Sequence, residues 1–325
     1  MKNSITSFIK KYFLHFNALS LYEAAKAYKN HIQNNGKMMI TIAGAMSTAE
    51  LGKILSKMIR KNKVHIISCT GANLEEDIIN LIAHSHYKKI SNYRYLTPDE
   101  EKKFFKKGFY RITDTLIPEK QAFKKLQKHI IYLWKRAQQK SQRYFPHEYI
   151  YQLLLENILE PYYNINSKDS WVLEAAKKNI PIVVPGWEDS TIGNIFTSFC
   201  IKKIFLPSIV KNGIEYMMYL AKWYKQETIN NNNKIGFFQI GGGISGDFPI
   251  CVVPMLSQDI GLDKTPFWSY FCQVSDSTTS YGSYSGAIPN EKITWGKVDK
   301  NTPKFIIESD ATIVVPLIFA YILNM

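Results

Sequence analysis

The chain has 325 residues, 46% of them hydrophobic and 14% aromatic, enough to bury a large core and to exclude a disordered polypeptide. Its formal net charge of +14 raises the prospect of a nucleic-acid or acidic-membrane partner. The surplus is spread through Lys-, Asn- and Ile-rich sequence, and its densest run, Lys102-Lys103-Phe104-Phe105-Lys106-Lys107, has the form of one solvated helix face, so neither nucleic acid nor membrane is expected as a partner.

Cys69, Cys200, Cys251 and Cys272 form no C-x-x-C pair and have no histidine at zinc spacing. They read as buried free thiols in a reducing compartment, so a cytoplasmic protein without a metal site is expected. Met1 to Phe16 is basic and amphipathic and lacks the apolar core of a signal peptide. Ala311 to Leu323 is the longest apolar run; it is too short to span a bilayer and contains Pro316, which makes it a core segment.

In chain order, apolar residues at helical spacing predict a helix over Leu19 to Asn30, with Gly36 ending the helical stretch that follows. Lys37 to Ile42 is a strand that opens into the small-residue loop Ala43-Gly44-Ala45-Met46-Ser47-Thr48, followed by a helix from Ala49 to Arg60. Val64 to Ser68 repeats the pattern, running through Cys69-Thr70-Gly71-Ala72-Asn73 into a helix at Leu74-Glu75-Glu76-Asp77. Such strand–loop–helix units build a parallel sheet with helices on both faces, the α/β class, and ligands bind at the carboxyl ends of its strands. Small residues let backbone amides approach a phosphate, and the three acids suit the macrodipole of their own helix.

Asp99 to Tyr163 is charged and mostly helical, with helices near Glu119–Lys140 and Glu148–Leu159, and reads as a helical cover over roughly 99–165 within one 1–325 domain. Trp171 to Lys178 is a helix with Ser167 or Asp169 as its cap. The strand Ile180 to Val184 leads into Pro185 to Asn194, a loop that mixes small residues with carboxylates; Ile204 to Leu206 is a candidate strand and Gly213 to Lys225 a helix. Ile235 to Ile240 is a strand ending in Gly241-Gly242-Gly243-Ile244-Ser245-Gly246-Asp247. This matches G-x-G-x-x-G, but it lies late in the chain and Pro249 and Pro254 crowd the following helix, so it reads as a glycine cradle for a ligand rather than a standard dinucleotide fingerprint. Strands over Phe267 to Val274 and Phe305 to Glu308 complete the pattern, the second leading into Ser309-Asp310-Ala311-Thr312.

Between the last two strands lies Ser283-Tyr284-Ser285-Gly286-Ala287-Ile288-Pro289-Asn290-Glu291-Lys292-Ile293-Thr294-Trp295-Gly296-Lys297. A lysine beside an aromatic and next to glycine can be partly desolvated, which frees its amine as a nucleophile; an ordinary solvated lysine is the alternative.

At Ser285-Gly286-Ala287, Pro289, Glu291 and Trp295-Gly296-Lys297 the chain resembles the deoxyhypusine synthase family, in its bacterial deoxyhypusine synthase-like branch. The resemblance runs from about Gly44 to Leu323, supported by Thr70 to Asp77, Asp189 to Asn194, Gly241-Gly242-Gly243 and Asp310-Ala311. It implies an NAD-dependent homotetramer with a Rossmann-like parallel sheet, N-terminal helices, a helical insertion, and active sites between subunits; homospermidine synthases share the scaffold. The implied reaction removes a hydride to NAD from the carbon beside a polyamine's secondary amine. The resulting imine is captured by Lys297 and a diamine fragment leaves; an acceptor amine then displaces the lysine, and the retained hydride reduces the new imine. Carried over by position, Lys297 is the nucleophile, and Glu291 and Trp295 contact substrate. Thr48, Thr70, Gly71, Glu76, Asp189, Gly241, Gly242, Ser283, Ser285, Asp310 and Ala311 contact the cofactor. In the substrate site the family's synthases have Asp at the position of Asn194, His at that of Asp247 and Asp at that of Tyr284. The substrate grip is therefore rewritten, which points to a small amine acceptor, or to a different donor such as a guanidino-amine, rather than to a protein lysine. An NAD-dependent amine oxidoreductase and a non-catalytic NAD- or polyamine-binding homologue are the alternatives.

Overall fold

A computed structural model describes residues 4–278 and 282–325. In chain order its strands are β1 (Lys37–Ile42), β2 (Ile66–Cys69), β3 (Lys88–Lys89), β4 (Phe109–Ile112), β5 (Thr115–Pro118), β6 (Ile182–Val183), β7 (Ile235–Ile240), β8 (Tyr270–Val274) and β9 (Lys304–Ile307). Six of them form one parallel sheet in the order β6-β2-β1-β7-β8-β9. The register is continuous across its centre, where Met39 pairs with Ile66 on one side and Phe237 on the other. Every residue of β2, β7 and β8 is buried. Their near-continuous apolar composition is that of a sheet covered on both faces.

The chain enters this sheet at β1, builds outward through β2 and β6, then returns to the other side of β1 through β7, β8 and β9. This is the strand order of doubly wound dinucleotide-binding sheets. The switch point lies between β1 and β7, and ligands of such sheets bind at the carboxyl edge beside it.

The helices are α1 (Ile5–Tyr12), α2 (Phe16–Gln33), α3 (Gly52–Arg60), α4 (Gly71–Ala83), α5 (Pro98–Lys106), α6 (Phe123–Gln139), α7 (Pro146–Leu155), α8 (Trp171–Lys177), α9 (Thr191–Ile201), α10 (Gly213–Lys225), α11 (Ile244–Ile250), α12 (Val252–Pro254), α13 (Glu291–Thr294) and α14 (Ala311–Ile322). α2 packs on α14 and β9, α3 on α8, and α4 on α9. Side-chain caps fix where the helices at the carboxyl edge begin. Thr70 accepts from the Asn73 amide, Ser170 from Leu173, Ser190 from Gly193 and Asp310 from Thr312, each satisfying an amide that the helix leaves open. Ser170 therefore caps α8, not Ser167 or Asp169, which lie in the preceding 3-10 turn.

Several sequence expectations need correction. The stretch 99–165 holds α5, α6 and α7 but also the hairpin β4–β5, which pairs Phe109 with Pro118 and Ile112 with Thr115. β3 joins this hairpin to make a second, antiparallel sheet. Ile204 to Leu206 is not a strand: Phe205 is buried against the Trp134 ring at 5.9 Å, while Ile204 and Leu206 are exposed, so one anchored side chain produced the apolar triplet. α3 starts at Gly52 rather than Ala49, because Glu50 adopts φ 59°, which helical backbone cannot accommodate. α4 starts at Gly71, three residues before Leu74. Of the free cysteines only Cys69 and Cys272 are buried, and Cys200 and Cys251 are half-buried. Among the described residues no helix is long and apolar enough to cross a membrane.

Candidate active site

The loops at the carboxyl edge are tied to one another. The Thr70 hydroxyl donates to the Gly44 carbonyl at 2.9 Å, and the Asn73 amide nitrogen reaches the carbonyls of Ala43 and Gly44 at 3.1 and 2.8 Å. A Cβ on Gly71 would come within 2.7 Å of the Ser190 Cβ, which brings the loop after β6 against the head of α4. The glycine turn after β7 has φ 75° at Gly241 and 74° at Gly243, the left-handed region that favours glycine. Its middle residue packs against a neighbouring loop. A Cβ on Gly242 would lie 2.1 Å from the Ser285 Cβ, so Gly242 admits a neighbouring loop; Gly243 faces open space. Two glutamines from the sheet hold these loops: Gln239 donates to the Gly241 carbonyl at 2.9 Å, and Gln273 donates to the Ser285 carbonyl.

The acids Glu75, Glu76 and Asp77 do not serve the macrodipole of their own helix. All three are buried. Glu75 accepts from the amides of Thr191 and Ile192 at 2.9 and 2.8 Å, at the start of α9. Asp77 accepts from the Ser170 hydroxyl and the amides of Trp171 and Val172, at the start of α8. Glu76 accepts from the amide and hydroxyl of Thr48 at 3.2 and 2.8 Å, closing the loop after β1 onto α4. Burial pushes the Glu76 carboxyl up to about 7, with the Thr48 hydrogen bonds opposing.

This predicts a pH signature. In the folded state Glu76 holds its proton up to about pH 7, whereas an unfolded glutamate loses it near 4.3. Between these values the native state binds more protons, so stability falls as pH rises from about 4.3 to 7. Glu76→Gln should flatten that slope, by up to ~3 kcal/mol across the window. Urea titrations of both proteins at several pH values check this.

Lys297 is placed by a helix stop. Gly296 has φ 64°, its amide donates to the Ile293 carbonyl at 3.0 Å, and the Lys297 amide donates to the Lys292 carbonyl at 3.1 Å. These paired bonds are the Schellman motif, in which the second residue past the helix end turns back toward the last turn. Glycine between Trp295 and Lys297 is therefore a backbone requirement. The Lys297 carbonyl accepts from the Trp268 amide at 3.2 Å, pinning the segment beside β8. Lys297 is 9% exposed, and its ammonium sits 5.4 Å from the Tyr284 ring centroid and 5.6 Å from that of Trp295.

Asp247, half-buried on α11, lies in the field of the same lysine. Burial raises its carboxyl, and Lys297 and Lys292 pull it back. Among the described residues the Asp247 Oδ1 and the Tyr284 hydroxyl are buried without a hydrogen-bond partner. The structure thus brings Lys297, Trp295, Tyr284 and Asp247 into one cluster, with exposed Glu291 on the adjoining turn of α13. Asn194 does not present its amide to that cluster: the amide donates to the Ser190 and Glu188 carbonyls at 2.7 and 3.3 Å. Thr48 and Glu76 form a second group with Thr70 and Gly71, and Gly241 and Gly242 a third with Ser283 and Ser285, whose hydroxyls lie 3.4 Å apart. Asp189 is exposed on its turn, and Asp310, also exposed, caps the helix that begins at Ala311. Sequence reading missed Lys292. It is 2% exposed, lies over the rings of Phe271 and Tyr284, and burial and Lys297 lower it to about 8, against the pull of Glu291 and Asp247. Among the described residues no cluster of His, Cys, Asp or Glu could hold a metal ion.

The family model for deoxyhypusine synthase matches residues 8–322. The chain belongs to the deoxyhypusine synthase family. Relatives include the "Probable deoxyhypusine synthase 2" of Methanosarcina mazei, 26% identical over 93% of this chain and 81% of its own length. The "Deoxyhypusine synthase-like protein" of Thermosynechococcus vestitus is 26% identical over 99% and 79%. A crystallised deoxyhypusine synthase candidate from Entamoeba histolytica superposes with a TM-score of 0.56 at 12% identity, covering 100% of this chain and 94% of its own. That likeness shows that the two chains share a fold.

Proposed function

We propose that the chain is an NAD-dependent transferase that moves an aminoalkyl group from a polyamine or related amine to an amine acceptor, with Lys297 as the covalent carrier. The observation that carries this reading is the pairing of a buried lysine with an unpartnered carboxylate oxygen. Lys297 stands between the Tyr284 and Trp295 rings, and the Asp247 Oδ1 has no hydrogen-bond partner among the described residues. A buried acceptor of this kind calls for a donor, and an amine substrate supplies N–H groups to it. A lysine held among aromatics is suited to attack an imine carbon once it is unprotonated.

A dinucleotide would bind at the switch point between β1 and β7, where such sheets take one and where Gly243 leaves open space beside its backbone. Thr48, Thr70, Gly71 and Glu76 would hold NAD from one side, Gly241, Gly242, Ser283 and Ser285 from the other, with Asp189, Asp310 and Ala311 at the rim. Bound there, NAD supplies hydride acceptance and return. This chain's own residues do the rest. Asp247 and Glu291 grip the cationic substrate, Tyr284 bounds the pocket, and Lys297 forms and releases the C–N bond. With the Asn194 amide committed to backbone and a phenol at Tyr284, fewer carboxylates face the amine, which favours a small acceptor or a guanidino-amine donor over a protein lysine. Trp295 is 62% exposed; in a homotetramer with sites between subunits, a second copy would cover it and keep water from Lys297.

Purified protein incubated with NAD and a panel of spermidine, putrescine and agmatine tests the reading. The expected result is a new amine product without net NADH. Net NADH with a free aldehyde would make the protein an amine oxidoreductase, and neither product would leave a binding homologue.

A further inference from the structure

We propose that Gln239 and Gln273 form a cross-strand pair of positioning residues that couples the glycine turn after β7 to the Tyr284–Gly286 turn, and so fixes Asp247 and Tyr284 relative to each other. Its bearing on NAD and amine chemistry rests on the reading above; the coupling itself does not. The two glutamines are partners in register on β7 and β8, so their side chains leave the same face of the sheet from strands about 4.8 Å apart. Gln239 donates to the Gly241 carbonyl at 2.9 Å, in the turn that opens α11, where the Asp247 amide donates to the Gly243 carbonyl at 3.0 Å. Gln273 donates to the Ser285 carbonyl, one residue past Tyr284. The two turns meet directly: a Cβ on Gly242 would lie 2.1 Å from the Ser285 Cβ, and one on Gly286 would lie 2.0 Å from the Thr278 carbonyl oxygen.

Stability alone does not explain these amides. Gln239 and Gln273 continue a row with Thr41 and Ser68, which stand in register with them on β1 and β2. All four side chains are fully buried, and each has an oxygen without a hydrogen-bond partner among the described residues. Such groups cost free energy that an apolar residue of the same shape would not, and the rest of β7 and β8 is otherwise apolar or aromatic. What the two amides supply is direction, since each holds a loop carbonyl. Gly246 makes room for one of them: a Cβ there would come within 2.8 Å of the Gln239 Oε1. Helix α11, which carries Asp247, therefore lies directly on the Gln239 amide. Tyr284, beside the carbonyl that Gln273 holds, supplies the ring 5.4 Å from the Lys297 ammonium. A shift of either turn thus moves Asp247 or Tyr284 within the site.

The test is hydrogen–deuterium exchange of the full-length protein beside Gln239→Met and Gln273→Met, which keep an unbranched side chain of similar size without the amide. The amides to follow are those of Gly246 and Asp247 in one turn and of Gly286 and Ala287 in the other, all hydrogen-bonded within their turns. In each variant both sets should exchange at least about tenfold faster, while β7 and β8 keep their protection. The urea midpoint should stay near that of the parent protein, because removing a buried amide with an idle oxygen offsets the lost bond. NAD affinity should fall about tenfold in both variants, as the binding-competent arrangement becomes a minor state. Three results would overturn the proposal: unchanged exchange, faster exchange confined to the turn whose own glutamine was replaced, and a variant that fails to fold or loses protection throughout the sheet. Loosened turns with unaltered NAD affinity would overturn it as well. Because exchange needs neither NAD nor turnover, a parent protein with coupled turns that binds no NAD would count against the transferase reading alone.

Discussion

Lys297→Met is expected to lower amine transfer by at least about 10³-fold while leaving the fold and NAD affinity intact. A covalent carrier has no substitute: without its amine, the captured fragment has nowhere to reside between donor and acceptor. The substitution is structurally mild. The Schellman bonds and the contact with Trp268 are made by backbone atoms of residue 297, and methionine keeps an unbranched apolar stem against Tyr284 and Trp295. Product formation measured beside NAD binding checks both halves of this expectation. Lys297→Arg should be equally inactive, because a guanidinium does not lose its proton to become a nucleophile.

Asp77→Ala is expected to give the largest loss of stability of any single carboxylate change, about 3–5 kcal/mol. Asp77 is the shared acceptor of the Ser170 hydroxyl at 2.5 Å, the Val172 amide at 3.1 Å and the Trp171 amide at 3.3 Å. All of these groups are buried, and each donor left without a partner costs about 1–3 kcal/mol. The damage extends beyond α8, because the Trp171 indole also donates to the Ser47 hydroxyl at 3.0 Å in the loop after β1. A urea denaturation midpoint compared with that of the parent protein checks the expectation, and Asp77→Asn, which keeps one acceptor oxygen, should cost less.

The sequence made the sheet legible wherever a strand was short, apolar and bounded by polar residues. β7 spans the expected Ile235–Ile240 because Asn230–Asn233 and the glycines frame it, and α10 spans Gly213–Lys225 because Asn212 caps it in a box with Glu215. Hairpin β4–β5 escaped because its alternating residues sit in a strongly charged stretch and its register is set by cross-strand pairing. The parallel order and the switch point follow from which strands adjoin, which local pattern does not encode. In the site, Lys297 stood out through the Trp295-Gly296-Lys297 stop, and family resemblance gave it a role. Lys292 carried no comparable signal: its burial under Tyr284 and Phe271 depends on how α13 rolls against β8. Likewise the acids of α4 looked local, yet Glu75 and Asp77 bind helices more than 90 residues away in sequence.

As the proposed covalent carrier, Lys297 holds a fragment of the amine donor during transfer. Incubation with NAD and a donor amine, reduction with borohydride, and peptide mass spectrometry test it most directly. The expected result is a mass increase on the peptide containing Lys297, equal to the aminoalkyl fragment, dependent on NAD and absent from Lys297→Met. Active transfer with an unmodified Lys297, or an adduct on another lysine that survives Lys297→Met, would contradict it.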